Sequence, residues 1–175
     1  MPDITDLILD DHETFRRAFA ALDEVRYDVE RGKGTADDLL AAWTPLAELL
    51  DLHAAAEEAV FYPQLLRKAD PDGEETEDAI GDHNEIRDGV AKAKKEKPGS
   101  KDWWEAIHET REANDEHMAE EEHEGLADFR LHADRSLRQR LGDEFTTYKL
   151  AHPNARNLGA DGKDKDPEEY VEANS

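Results

Sequence analysis

Four histidines and two glutamates stand out by type and spacing: His12, His53, His83 and His117, with Glu57 four residues after His53 and Glu121 four after His117. Residues four apart share one face of a helix, so each His-x-x-x-Glu pair can offer a nitrogen and a carboxylate oxygen to one metal ion. Spacing alone is weak ground in this chain. It carries 23 glutamates and eight histidines, so about one such pair arises by accident. His108 with Glu112 is a third example, and it lies one position off the apolar seam of its helix, as solvated surface would.

Phase gives the six their meaning. Four long helical patterns run along the chain, each with an apolar seam. The first starts after Thr5, read as its N-cap, runs Ile8, His12, Phe15, Phe19, Leu22, and ends near Gly32 and Gly34. The second opens at Thr35 with Asp38 three residues on, a capping box. Its seam runs Leu39, Trp43, Leu46, Leu50, His53, Glu57, Val60, Gln64, with a kink expected at Pro63. The third opens near Asp72 and runs Thr76, Ala79, His83, Ile86, Val90, Ala93. The fourth, capped by Ser100, runs Trp103, Ile107, Thr110, Asn114, His117, Glu121, Glu124 and fades near Phe129 or Arg130. Each helix thus places one histidine in its own seam, and two add a glutamate. Buried charge is costly unless it is paired or bound to metal.

Height along the bundle agrees. At 1.5 Å per residue, His12 lies ~10 Å past the start of its helix and His83 ~16 Å past the start of its own. His53 and Glu57 lie ~17–22 Å before their helix ends, and His117 and Glu121 ~14–20 Å before theirs. In an up-down-up-down bundle these ends coincide, so all six fall within about two turns of one level. The expected fold is all-α: an antiparallel four-helix bundle over 1–132, a short fifth helix within 133–151 (from Ser136 to Leu150), and a flexible acidic tail over 152–175.

Imidazole and carboxylate without thiolate suit Fe, Mn or Zn. If both glutamates bridge, they and the histidines give each of two ions about four bonds, and an oxo or hydroxo bridge adds a fifth. That leaves open positions, which fits a redox-active pair better than a closed structural zinc. Asp11, Glu58, Asp82, Glu116 and Glu122 are candidates to orient the imidazoles. Phe15, Phe19, Phe61, Trp43 and Trp103 read as core, Tyr62 as a packed tyrosine near the site, and His108, His123, His132 and His152 as surface residues.

The ordered set His…His-x-x-x-Glu…His…His-x-x-x-Glu resembles the hemerythrin-like, or HHE cation-binding, family. The matching pieces are Asp11-His12-Glu13, His53-Ala54-Ala55-Ala56-Glu57-Glu58 with Phe61-Tyr62-Pro63, Asp82-His83, and His117-Met118-Ala119-Glu120-Glu121-Glu122. The resemblance spans residues from about 5 to 130 and implies a centre of two non-haem Fe ions that reacts with oxygen, peroxide or nitric oxide. Two departures separate the chain from the animal oxygen carriers. Arg87 stands where they place a second histidine on the third helix, and Glu121, at four residues from its histidine, takes the role of their aspartate at five, with Glu122 as the alternative. A reactive or sensing centre is therefore expected rather than a carrier, with a catalase-like peroxide-decomposing enzyme as the alternative and an iron store or metal-stabilised bundle as a further one. A ferritin-like site needs Glu-x-x-His on two helices. Here Glu105 with His108 and Glu120 with His123 both fall on the fourth.

Composition sets the remaining bounds. A formal net charge of −23 argues against a nucleic-acid partner, which needs clustered Lys and Arg, and against an anionic membrane surface. The absence of cysteine excludes disulfides, thiolate metal sites and Fe–S clusters. No run approaches the ~20 apolar residues of a membrane span. The expectation is a cytoplasmic monomer whose partners are small molecules.

Overall fold

In the computed structural model, which describes residues 2–153 and 164–175, helix α1 (Ile4–Glu30) opens on Asp3 rather than Thr5. The Asp3 carboxylate accepts from the Thr5 N–H at 3.1 Å and from its hydroxyl at 2.9 Å. Thr5 lies inside the first turn instead, and its buried oxygen accepts from Arg130 Nε at 2.6 Å. Helix α2 (Ala36–Ala56) begins with the expected capping box between Thr35 and Asp38.

The expected kink at Pro63 takes a particular form. Pro63 has no N–H and its ring crowds the carbonyl four residues back. The chain responds upstream with a π-helical stretch (Glu57–Phe61), in which the Tyr62 N–H reaches Glu57 O, before α3 (Tyr62–Lys68) resumes. A π-turn inserts one residue into the helical repeat. The seam therefore slips by one: the expected Val60 and Gln64 are only half-buried, and Phe61 and Leu65 take their places inside. The same slip lets consecutive residues, Glu57 and Glu58, both face inward, at 0% and 5% exposure.

Helix α4 (Glu74–Lys95) starts after Gly73, whose φ of 78° suits glycine. Asp70, not Asp72, provides the carboxylate cap, accepting from the Thr76 N–H at 2.9 Å. Helix α5 (Lys101–His123) is capped by Ser100 as expected, but it breaks at Glu124 instead of running on to Phe129. The chain continues as α6 (Gly125–His132), and Glu124 is exposed while Leu126 and Phe129 are buried. Helices α4 and α5 approach closely at Gly89, where a Cβ would lie 2.3 Å from the Thr110 hydroxyl.

Two segments outside the four long helices pack over them. Helix α7 (Arg135–Ala151), capped by Asp134, lies against α1 and the π-turn and buries Leu141 and Phe145. The expected flexible tail falls partly on residues 154–163, outside the described residues. Beyond them the chain departs from that expectation: α8 (Pro167–Asn174) packs on α4, with Asp166 as its cap. Asn84 and Lys165 exchange hydrogen bonds of 2.7 and 3.0 Å, and Tyr170 donates to Glu58 O at 2.5 Å. The tail's low hydrophobicity concealed this because a few specific polar contacts, not an apolar seam, hold it.

The apolar core falls into two clusters. One contains Phe15, Phe19, Leu22, Trp43, Leu50, Ile86 and Trp103; the other contains Ile4, Ile8, Phe61, Tyr62, Ile80, Phe129 and Phe145. On α1, α2 and α4 the seam histidine sits between residues of the two clusters. Among the described residues no helix is long and apolar enough to cross a membrane.

Candidate metal centre

All six seam residues are brought together and buried: His12, His53, Glu57, His83, His117 and Glu121 are each at most 6% exposed. They form two groups whose ligand atoms lie within 4.8 Å of one another, His12, His53, Glu57 and Glu121 in one, and Glu57, His83 and His117 in the other. Glu57 belongs to both. Its Oε1 lies 2.9 Å from His53 Nε2, and its Oε2 lies 3.3 Å from His83 Nε2 and 4.0 Å from His117 Nε2. Of the two glutamates, only Glu57 is common to both groups. Glu121 sits with the first group, 3.3 Å from His12 Nε2.

The histidines share one orientation. Each turns Nε2 inward and rests Nδ1 on a carboxylate from a different helix: His12 on Glu122 at 3.0 Å, His53 on Asp11 at 2.9 Å, His83 on Glu58 at 2.9 Å, and His117 on Asp82 at 3.4 Å. A carboxylate on Nδ1 keeps the proton there and leaves Nε2 with its lone pair free, the arrangement metal-binding histidines use. Four of the five candidate orienting carboxylates are thus in place, while Glu116 is exposed to solvent. The carboxylates are held in turn. Lys149 of α7 donates to Asp11 at 2.6 Å, Arg16 to Glu122 at 2.7 Å, and Arg87 to Glu58 at 2.8 Å, and Lys165 pairs with Glu58 as well.

Charge in this interior is arranged for a cation. Burial alone draws the His53 imidazole down, but Glu57 and Asp11 outweigh it and push it up to about 10. Burial raises Glu57, and the imidazoles of His53 and His83 overcome this and hold it well below the usual carboxylate range. Glu58, despite burial, falls to about 2 beside His83, Arg87 and Lys165. Tyr62 is driven well above its ordinary value by burial and by Glu121 and Glu57, so it stays a neutral hydroxyl, 3.5 Å from Glu57 Oε2 and 3.4 Å from His83 Nε2. The carboxylates therefore hold positive charge at the centre of the bundle, as protons here or as a metal ion in their stead.

The decisive sign of fit is a set of orphaned atoms. His12 Nε2, His53 Nε2, Glu57 Oε1 and both oxygens of Glu121 are buried with no hydrogen-bond partner, although His53 Nε2 and Glu57 Oε1 are only 2.9 Å apart. The ligand atoms of these four residues lie within 4.8 Å of one another. Each such atom costs about 1–3 kcal/mol when nothing satisfies it. All five belong to the first group, and one cation between them would satisfy them together.

The hemerythrin HHE cation binding domain model matches residues 3–127, which include all six residues. The chain belongs to the hemerythrin HHE cation-binding family. No curated protein and no solved structure matches it. As a member of that family it is a metal-binding helical protein, and its buried His/Glu groups are able to hold the metal. The matched span stops before α7 and α8, yet Lys149 and Lys165, from these two outlying segments, secure two of the orienting carboxylates. Sequence reasoning missed both lysines. Neither lies in a seam, and a lone lysine in an acidic chain carries no signal of its own.

Proposed function

We propose that this hemerythrin-family chain is a non-haem di-iron protein that binds or senses oxygen, peroxide or nitric oxide. The observation that carries the reading is the shared carboxylate: Glu57 presents one oxygen to each of two buried His/Glu groups. His12, His53, Glu57 and Glu121 would hold one ion, and Glu57, His83 and His117 the other. The unequal donor counts make the second ion the better place for a small exogenous ligand. Iron at these positions would supply one-electron redox chemistry toward such a ligand.

The chain's own residues support the reading. Asp11, Glu58, Asp82 and Glu122 fix the imidazoles, and Tyr62 offers a protonated hydroxyl beside His83. A pocket of about 690 Å3 between α2 and α4, apolar along Trp43, Leu50, Ile86, Val90 and Trp103 and charged at Glu48, Asp51, Lys94 and Glu96, reaches His83 and offers a small ligand a way in. Arg87 lines it too, tied to Glu58 and Asp51, so at this position the chain contributes a cation rather than a further imidazole.

Anaerobic reconstitution with ferrous iron, metal analysis and an optical spectrum after exposure to oxygen or nitric oxide test this. Two irons per chain and a ligand-dependent spectrum are expected. A wild type that binds no iron, or a His53→Ala/Glu57→Ala variant that keeps both ions, would sink the proposal. Oxygen release from peroxide well above that of free iron would move the reading to a peroxide-decomposing enzyme.

A further inference from the structure

A second cavity opens between α3, α4 and the α5–α6 junction. It is small, about 40 Å3, and its inner wall is formed by Tyr62, His117 and Glu121 of the centre itself. Six of its eleven lining residues are carboxylates and none is Lys or Arg, whereas Asp and Glu supply 45 of the chain's 175 residues. The enrichment exceeds twofold in a chain already rich in acid. We propose that this vestibule is the route by which hydrated divalent cations reach the metal centre, a proposal that rests on the di-metal reading above.

Three observations carry it. Glu121, only 6% exposed, lines the cavity with neither oxygen hydrogen-bonded, so the inner end presents carboxylate ligand atoms of the centre itself. Glu75 Oε2, also buried and unpartnered, lies in the same cavity, and an orphaned carboxylate oxygen is satisfied by a cation or its water. Gly125, at the α5–α6 break, lines the same cavity. A Cβ on Gly125 would sit 3.6 Å from Glu75 Oε2 and 3.8 Å from Glu121 Cγ, so a larger side chain there would fill the gap between mouth and centre. Asp78, Glu120 and Glu124 are exposed at the mouth, and Glu75 and Asp82 are half-buried behind them. The crowding shows in the chemistry of Glu75, which burial with Asp70, Asp128 and Glu124 pushes up to about 7. A volume of 40 Å3 admits a cation with only part of its water shell, so carboxylates along the way must replace the waters left outside.

The test is the rate of metal uptake by the full, metal-free chain. Co2+ is mixed at low ionic strength and its absorption followed by stopped flow, with final stoichiometry taken by metal analysis. The variant Glu75→Gln/Asp78→Asn/Glu124→Gln changes no ligand. It should load about tenfold more slowly at 10 mM salt and reach the same endpoint, and the difference should shrink near 0.5 M salt, as focused fields do. A control variant, Glu24→Gln/Asp28→Asn/Asp37→Asn, removes the same charge from exposed positions ~18–24 Å along the helices from the ligands and should load like wild type. Equal rates for mouth variant and wild type, or equal slowing in both variants, overturn the route while leaving the centre intact. A wild type that takes up no metal overturns the centre and the route together.

Discussion

Asp11→Asn offers a sharp test of the site geometry because Asp11 touches one histidine only. Its carboxylate accepts from His53 Nδ1 at 2.9 Å and is held by Lys149. An asparagine keeps the size but loses the charge, so His53 Nε2 becomes a weaker donor and its ring is less firmly set. Removing such an orienting partner lowers metal affinity by about 10–100-fold, or about 1.4–2.8 kcal/mol. His53 belongs with His12, Glu57 and Glu121, so the loss should fall on that ion alone. Glu58→Gln should do the reverse, weakening the ion on His83 and His117, because Glu58 holds His83 Nδ1. Calorimetric titration of the metal-free chain with Co2+, with competition by a chelator, resolves the two steps. Equal weakening of both steps by Asp11→Asn, or none, would refute the assignment of histidines to ions.

Further outcomes follow from the same structure. Lys165→Met removes one cation from Glu58, whose side chain is 2% exposed, while Arg87 and His83 remain. Urea unfolding of the metal-free chain should show a loss of about 1–3 kcal/mol, and no change would mean that α8 docks without consequence. Phe145→Ala empties a site 1% exposed whose ring meets that of His53 edge-on at 6.3 Å, and should cost about 3–5 kcal/mol by the same measurement. Glu75 has its acidity weakened in the folded state, so its charged form opposes folding from about pH 4.5 upward, and fully so above about 7. Glu75→Gln should therefore stabilise the metal-free chain at pH 8 by about 1 kcal/mol, discounted for its exposure, and leave it unchanged at pH 4; the opposite pH dependence would count against the acidic vestibule.

The six central residues were legible in the sequence because each lies in phase with an apolar seam, and burial follows phase directly. The orienting carboxylates were legible as candidates but not as partners: nothing along the chain says that Asp11, next to His12, serves His53, or that Asp82, next to His83, serves His117. Such pairing depends on which helices are neighbours and how they are rotated. The slip from Val60 to Phe61 was readable only as a kink at Pro63, since a proline forbids one hydrogen bond without dictating how the helix repairs it. The break at Glu124 left no mark because Glu121 and Glu124 continue the α-helical spacing. Helix α8 was hidden by composition, for its segment is held by Lys165 exchanging hydrogen bonds with Asn84 of α4 and by Lys165 and Tyr170 reaching Glu58 in the π-turn.

Taken together, the four Nδ1 contacts trace a closed circuit. Asp11 of α1 serves α2, Glu58 in the π-turn at the end of α2 serves α4, Asp82 of α4 serves α5, and Glu122 of α5 returns to α1. Every helix both gives and receives once, always in the same sense around the bundle. A circuit of this kind has a handedness. A bundle folded with its helices in the mirror order would seat the same apolar seams but leave all four imidazoles facing the wrong carboxylates. The centre thus works as a checksum on topology, rewarding one of two otherwise similar packings.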